Sequence, residues 1–375
     1  MLHEIPIKLT YVVSDVSRAL GFEWIIEEID KKKIDLSFIL IGEPETEMEK
    51  FLLRKSVKYI RIEYKSKLSL PNAILKSFLF LKKNRSVAVH THLFTGSFIG
   101  LIAAKLAGIQ NRFYTRHYAT LNHEYHPNAV KWDRYLNKKA TKIIAVSENV
   151  KETLTDKEKV DSKKVVVIPH GFKLDLFHNP NTEKVKILHS KYNPSNKSPV
   201  IGVISRFTEL KGVQYIIPAY KELLNSYPNA LLLLFNTLGD HEKKIKELLN
   251  ELPEASYRTV EFENELPSLY HIFDLFVHVP VNKNIEAFGQ TYIECLASGI
   301  PMIATLSGIA PEVLIDRENC IIVPYRDSNA ILNASSLLLK DEILRNKIKT
   351  NSYPSVHKLF EIKRMVSQLE ELYLQ

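Results

Sequence analysis

The stretch Val200-Ile-Gly-Val-Ile-Ser-Arg-Phe-Thr-Glu-Leu-Lys-Gly212 joins a continuous apolar run to a short polar loop and a glycine, and an amphipathic segment follows over 213–226. An apolar run of that length bounded by turn residues predicts a buried strand, and the spacing after it predicts a helix. The same alternation recurs in both directions. Upstream, strand-like runs at 37–41, 87–90, 112–115 and 142–146 are separated by helical patterns such as 21–31, which ends in a lysine run suited to a helix C-terminus. Downstream, further runs stand at 230–235, 275–278, 302–305 and 320–323. Repeated strand–helix units predict an α/β protein built on doubly wound parallel sheets. A chain of 375 residues exceeds what one hydrophobic core usually serves, so two such domains are expected. The pattern loosens after 165–169 into Asn179-Pro180 and the polar 191–199. The expected division is an N-terminal Rossmann-like domain over 1–178, a linker over 179–199 and a second Rossmann-like domain over 200–354. A closing helix over 355–375 completes it, with Val356, Leu359, Phe360, Met365, Val366, Leu369 and Leu372 at helical spacing.

The composition is that of a globular protein, 45% hydrophobic and 25% charged. Two cysteines, Cys295 and Cys320, make no disulfide framework and fit a reducing compartment. Residues 1–15 lack the charged start and apolar core of a signal peptide, and the apolar stretch 93–109, broken by Lys105, reads as a buried helix rather than a membrane span. A cytoplasmic location is the expectation. No G-x-G-x-x-G fingerprint and no G-x-x-x-x-G-K-[ST] loop occur, which argues against nicotinamide enzymes and P-loop ATPases. No Asp-x-Asp pair is present to hold a divalent cation on a diphosphate, so no metal site is expected there.

Net charge is +8, and all of the excess lies in the first half. Within 50–85 stand eleven basic side chains against the single acid Glu63. Such a run suggests an anionic partner for the N-terminal domain, either a membrane surface or simply water around a solvated basic face. No nucleic-acid-binding motif accompanies it.

The segment Ile285-Glu-Ala-Phe-Gly-Gln-Thr-Tyr-Ile-Glu-Cys-Leu-Ala-Ser-Gly-Ile-Pro301 carries the most chemistry. Phe288-Gly289 reads as a tight entry to a helix from about Gln290 to Ser298, closed by Gly299 and Pro301. Free N–H groups at such a start form an anion site. Glu286, just before it, is placed to accept from sugar hydroxyls, and Glu294, about one turn in, to accept twice from a ribose diol. By spacing alone an ordinary helix with solvated glutamates fits as well. Arg206 and Lys211 stand beyond the carboxyl end of the strand over 200–205, where open α/β sheets bind ligands, and two cations there can neutralise a leaving diphosphate without a metal. As an isolated pair they also fit a strand cap and a solvated lysine.

Ser-Arg-Phe-Thr-Glu-Leu-Lys-Gly over 205–212, paired with Glu-Ala-Phe-Gly-Gln-Thr-Tyr-Ile-Glu over 286–294, resembles glycosyltransferase family 4 of the GT-B fold. Val167-Ile-Pro-His-Gly171, Leu266-Pro-Ser-Leu-Tyr270 with Asp274, and Ser307-Gly-Ile-Ala-Pro-Glu312 agree with it, as do His90-Thr-His-Leu-Phe-Thr-Gly96 and Thr115-Arg-His117 less specifically. The resemblance implies two Rossmann-like domains facing each other across a cleft, with the C-terminal helix closing back toward the first. It implies retaining, metal-independent transfer from a nucleoside-diphosphate sugar, the donor being a substrate, with no cofactor required. In that pattern Arg206 and Lys211 hold the diphosphate, Gly289 and Gln290 offer backbone N–H groups, Glu286 takes the donor sugar and Glu294 the ribose. His117 lines the donor-sugar pocket from the other domain. The chain departs from the family at His170-Gly171-Phe172-Lys173 and at its first loop, Ser14-Asp-Val-Ser-Arg-Ala-Leu-Gly21, which has a single glycine.

The expected activity is transfer of a hexose, from a UDP-sugar in preference to other nucleotides, to a saccharide or lipid-linked glycan in cell-surface polysaccharide or glycoconjugate synthesis. The protein would sit in the cytoplasm or on the inner face of the membrane through 50–85. Two other readings compete. A nucleotide-sugar epimerase or hydrolase shares the fold, and His90, His92, His117, His123 and His126 would suit a metal-dependent hydrolase if they converged.

Overall fold

The computed structural model describes residues 5–375, and the first four residues of the stretch read as lacking a leader lie outside the described residues. The chain folds as two compact units, one formed by residues up to Phe172 together with Ile362–Gln375, the other by Lys173–Glu361.

The first unit is a seven-stranded parallel sheet with order β3-β2-β1-β4-β5-β6-β7. Its strands are β1 Ile7–Ser14, β2 Ile34–Ile41, β3 Tyr59–Ile62, β4 Ala88–His92, β5 Asn111–Arg116, β6 Lys142–Ala145 and β7 Val165–Val167. The central strands are buried on both faces, which is why they read as apolar runs rather than alternating ones. Phe94–Leu106 is the buried helix expected over 93–109. The helix Leu70–Asn84 turns Ala73, Ser77, Phe80 and Leu81 inward and leaves Leu75 and Leu79 each 53% exposed beside the exposed Lys76, Lys82 and Lys83. Among the described residues no helix is long and apolar enough to cross a membrane.

The second unit is a six-stranded parallel sheet with order β10-β9-β8-β11-β12-β13. Its strands are β8 Val200–Ile204, β9 Leu231–Phe235, β10 Tyr257–Val260, β11 Leu275–His278, β12 Met302–Ala304 and β13 Ile321–Ile322. One layer of its core joins Ile201, Val203, Ile216, Tyr220, Leu232 and Leu234 to Val277 and Ile303. In both sheets the strand order reverses once, between β1 and β4 and between β8 and β11, and such a reversal opens a crevice at the strands' carboxyl ends. Two doubly wound α/β units make this the GT-B fold.

Three boundaries differ from the sequence reading, the first being the end of the N-terminal stretch, which falls at Phe172 and not at 178. The stretch 179–199 is not a bare linker. Asn181 accepts from the Lys184 amide at 3.0 Å and caps the helix Thr182–Tyr192. That helix buries Leu188 and Tyr192, the latter edge-on to Phe235 at 5.0 Å, and so belongs to the second unit. Its polar outer face disguised it. The helical pattern over 355–375 is likewise two pieces, because Glu342–His357 ends before a separate helix, Ile362–Leu374, begins. Only the latter joins the first unit, where the Tyr373 hydroxyl meets those of Tyr11 and the His90 ring, each at 2.6 Å.

Candidate functional site

The crevice between β8 and β11 is framed by close packing. The two strands pair with Leu275 beside Ile201 and Phe276 beside Gly202. A Cβ on Gly202 would lie 2.3 Å from the Phe273 ring, so only glycine fits. After β8 the chain passes Ser205 and the exposed Arg206, makes a turn of 3-10 helix at Glu209–Lys211, and enters the helix Val213–Ser226 through Gly212 at φ 74°. The Val281 amide donates to the Leu210 carbonyl at 3.1 Å, tying this loop to the segment beyond β11. A Cβ on Gly212 would sit 2.0 Å from the Val279 carbonyl oxygen, on top of the positive φ. Gly212→Ala is therefore expected to cost at least about 2 kcal/mol, from strain plus displaced backbone. Thermal unfolding should show a midpoint lower by several degrees, and an unchanged midpoint would refute this account of the turn.

The other wall comes from the segment after β11. The Ser307 hydroxyl accepts from the Glu286 amide at 3.2 Å, and Gly289, at φ 87°, opens the helix Gln290–Ser298. The first N–H groups of such a helix have no acceptor within it. In this first turn Thr291 Oγ1 is buried without a hydrogen-bond partner, and Gln290 is exposed. Phe288 is buried against Phe360 with ring centres 5.9 Å apart, so it anchors the turn.

Neither glutamate is a solvated helix residue. Glu286 is 9% exposed, and its Oε1 meets the Lys211 ammonium, with His278 Nε2 at 3.6 Å. Burial works to raise this carboxyl, but Lys211 and His278 outweigh it and hold Glu286 below the usual carboxylate range. Glu294 is 8% exposed and accepts from the Tyr270 hydroxyl at 2.8 Å. Burial pushes its carboxyl up to about 7, with the Tyr270 bond pulling the other way. Arg206 is exposed, and among the described residues it pairs with no carboxylate. Lys211 is not a solvated lysine, being ion-paired and only 21% exposed.

Two members of this group escaped the sequence reading. His278 is the last residue of a strand and looks like a core histidine, although its place at the carboxyl end of Leu275-Phe-Val-His was a signal. Tyr270 stood only within an agreeing segment, without a role.

His117 lies in the first unit, at the end of β5. Its Nε2 is 3.2 Å from His92 Nδ1, and its ring stacks on His170 at 5.5 Å. Burial lowers His117 to about 3 and His170 to about 4, so both rings are neutral at pH 7. The metal-hydrolase reading loses its ligand set here. Both His90 nitrogens are engaged, by Tyr373 and by Thr115 at 2.6 Å, and His123 turns to Glu158 at 3.2 Å. Among the described residues no three His, Cys, Asp or Glu side chains converge as metal ligands.

Residues 185–354 match the family model for glycosyl transferases group 1, and residues 25–176 match that for Glycosyltransferase Family 4. The chain is a family 4-type glycosyltransferase. Between them the two models span most of this glycosyltransferase, covering every strand but β1 together with His117, Arg206, Lys211, Glu286, Phe288, Gly289, Gln290 and Glu294. Among its relatives are the capsular polysaccharide biosynthesis glycosyltransferase CapM of Staphylococcus aureus, 27% identical over 80% of each chain, and a UDP-Gal:alpha-D-GlcNAc-diphosphoundecaprenol alpha-1,3-galactosyltransferase of Escherichia coli. The latter is 25% identical over 80% of this chain and 79% of its own. A solved glycosyltransferase from Rickettsia africae superposes with a TM-score of 0.79 at 25% identity over 98% of each chain. Anabaena Alr3699/HepE, solved with UDP and glucose, shares the fold with a TM-score of 0.84 at 17% identity over 98% of this chain and 99% of its own.

Proposed function

We propose that this glycosyltransferase moves a hexose, with retention, from a UDP-sugar to a lipid-linked or free saccharide in cell-surface polysaccharide or glycoconjugate synthesis, without a metal. The observation that carries the reading is the arrangement at the β8–β11 crevice: an ionised Glu286 against Lys211, an exposed Arg206, and a buried Glu294 further along the helix that Gly289 opens. Arg206, Lys211 and the N–H groups of Gly289 and Gln290 take the diphosphate and the charge that develops as it leaves. Glu286 accepts from donor-sugar hydroxyls and Glu294 from the ribose diol. His117 is the N-terminal domain's contact to the donor sugar, as a neutral ring. No carboxylate is assigned as nucleophile, so substitution proceeds on the face from which the diphosphate departs. UDP is favoured because the E. coli relative is named for UDP-Gal and the Anabaena neighbour holds UDP. The acceptor class rests on the names of the S. aureus and E. coli relatives.

Thermal unfolding with UDP-, GDP- and ADP-sugars tests the donor, since a ligand at 100 times its Kd adds about 2.7 kcal/mol. Stabilisation by none of them would overturn the assignment. Product formed without any acceptor would favour an epimerase or hydrolase instead, and activity lost to a chelator and restored by a divalent cation would refute the metal-free mechanism.

A membrane-held acceptor also gives a use to the helix Leu70–Asn84. Its exposed Leu75 and Leu79 lie among Lys76, Lys82, Lys83 and Arg85, a combination suited to headgroup phosphates and the acyl boundary. Flotation with anionic vesicles should recover the protein at 50 mM salt and much less at 500 mM. Changing the four cations to glutamine should weaken recovery about tenfold or more. Equal recovery of that variant and the wild type would sink the membrane role alone.

A further inference from the structure

His278 sits at the last position of β11, with its ring against Tyr292 at 4.6 Å and 78° and its Nε2 facing Glu286 Oε1 at 3.6 Å. That nitrogen is buried and has no hydrogen-bond partner. At 3.6 Å the carboxylate lies just beyond bonding reach, while Lys211 occupies the same Oε1. One carboxylate oxygen thus has a cation in contact and a second proton carrier waiting behind it.

We infer that His278 is a positioning residue that takes over Glu286 when Lys211 turns to the donor diphosphate, doing so as an imidazolium. The inference rests on the donor-site reading above. Lys211 faces two demands: its ammonium neutralises Glu286 in the free protein, and the same charge is needed by the diphosphate. Drawing it toward phosphate oxygens removes the countercharge from a buried carboxylate, which is costly unless another cation arrives. His278 is the group in place to supply it. A proton from solvent adds to the ring, and the Nε2–H then donates to Oε1 as the ring closes the remaining few tenths of an ångström. Glu286 stays ionised and oriented.

The groups around the ring assign the proton. Glu286 and Lys211 are its charged neighbours, and Tyr292 below it is committed through its hydroxyl to the Thr305 carbonyl at 2.9 Å. Burial lowers His278 in the free protein, so the ring starts neutral, and burial raises Tyr292, which does not exchange protons near neutrality. Glu294, raised to about 7, is largely ionised at pH 8 and contributes little exchange there.

Calorimetric titration of the whole protein with UDP at pH 8, in buffers of different ionisation enthalpy, reads the proton directly. The wild type should take up about half a proton or more for each UDP bound. His278→Gln, which keeps a donor but cannot hold a proton, should bind UDP with heats independent of buffer. Lys211→Met supplies a second route if His278→Gln does not fold: without the ammonium, His278 is charged before UDP arrives, and uptake should vanish. Binding by the wild type without proton uptake, or full uptake retained in either variant, overturns the inference while leaving the donor site standing. Failure of UDP, GDP and ADP alike to bind overturns the donor-site reading and this inference with it.

Discussion

Arg206→Ala and Lys211→Ala are each expected to lower turnover by about 100-fold or more, comparable to removing one donor aimed at the charge that develops in a transition state. Their side effects should differ, because the two cations have different partners in the free protein. Arg206 is exposed and makes no ion pair among the described residues, so its removal should leave the unfolding midpoint nearly unchanged. Lys211 neutralises Glu286, and truncating it takes the ammonium from a buried carboxylate and leaves His278 to hold it. Removing one partner of a fully buried pair costs about 3–5 kcal/mol, and the partial exposure of Lys211 reduces this to about 2 kcal/mol. The pH dependence supplies a check with a definite sign. Glu286 is depressed in the folded protein, so its contribution to stability is fully present above the unfolded carboxyl value, about 4.3, and is lost as pH falls through the lower folded value. Lys211→Ala should reduce that contribution and make the profile shallower there, with His278 as the remaining partner. Comparable stability losses for the two alanine variants would contradict the ion-pair assignment, and near-wild-type turnover in both would remove the diphosphate role.

The second large effect concerns Glu294. Glu294→Ala should weaken binding of free nucleoside diphosphate by about 10- to 100-fold, since hydrogen bonds to a charged group are worth about 1.5–3 kcal/mol. Glu286→Ala should instead act on turnover of the sugar donor and leave free diphosphate binding largely intact. The ionised carboxylate is the form that accepts from both ribose hydroxyls, and burial holds Glu294 near 7 in the free protein. Glu294's share of nucleotide affinity should therefore fall as pH drops below about 7 and level off above it. Without nucleotide the sign reverses. A raised carboxyl stabilises the fold below its unfolded value, and that contribution is lost as pH rises through about 7, so Glu294's share of the stabilisation given by nucleotide should grow between pH 6 and 8. Ionisation of the terminal phosphate occurs in the same range, and Glu294→Gln separates the two by deleting only the protein's share. Equal affinity of wild type and Glu294→Ala for free diphosphate would leave the ribose assignment without support.

Much of this architecture was readable because parallel strands buried on both faces leave unbroken apolar runs, as at Val200–Ile204 and Leu231–Phe235. The strands that went unread, Tyr59–Ile62 and Tyr257–Val260, lie at sheet edges, where Arg61 and the pair Arg258-Thr259 interrupt the apolar run and dilute the signal. The crevice followed a similar rule. Arg206, Lys211, Glu286 and Glu294 stand next to a strand end or helix start that punctuation by Gly212 and Gly289 makes visible. Burial of both glutamates could not be read, since a glutamate on an amphipathic helix looks the same solvated or enclosed. The contacts of His278 and Tyr270 are tertiary, to residues 8 and 24 positions away, and no local spacing encodes them.

The return of Ile362–Leu374 to the first sheet makes the second unit an insertion within the first. During synthesis the seven strands up to Val167 emerge from the ribosome long before Tyr373, the residue whose hydroxyl meets the buried Tyr11 and His90. The second unit, continuous from Lys173 to Glu361, can complete its core first. The earlier-made domain must wait, because the helix Ile362–Leu374 is made only after the whole of the second unit. A premature stop after Glu361 would accordingly spare the unit nearest the lesion and damage the one made first, by removing Met365, Val366, Leu369, Leu372 and Tyr373 from its core.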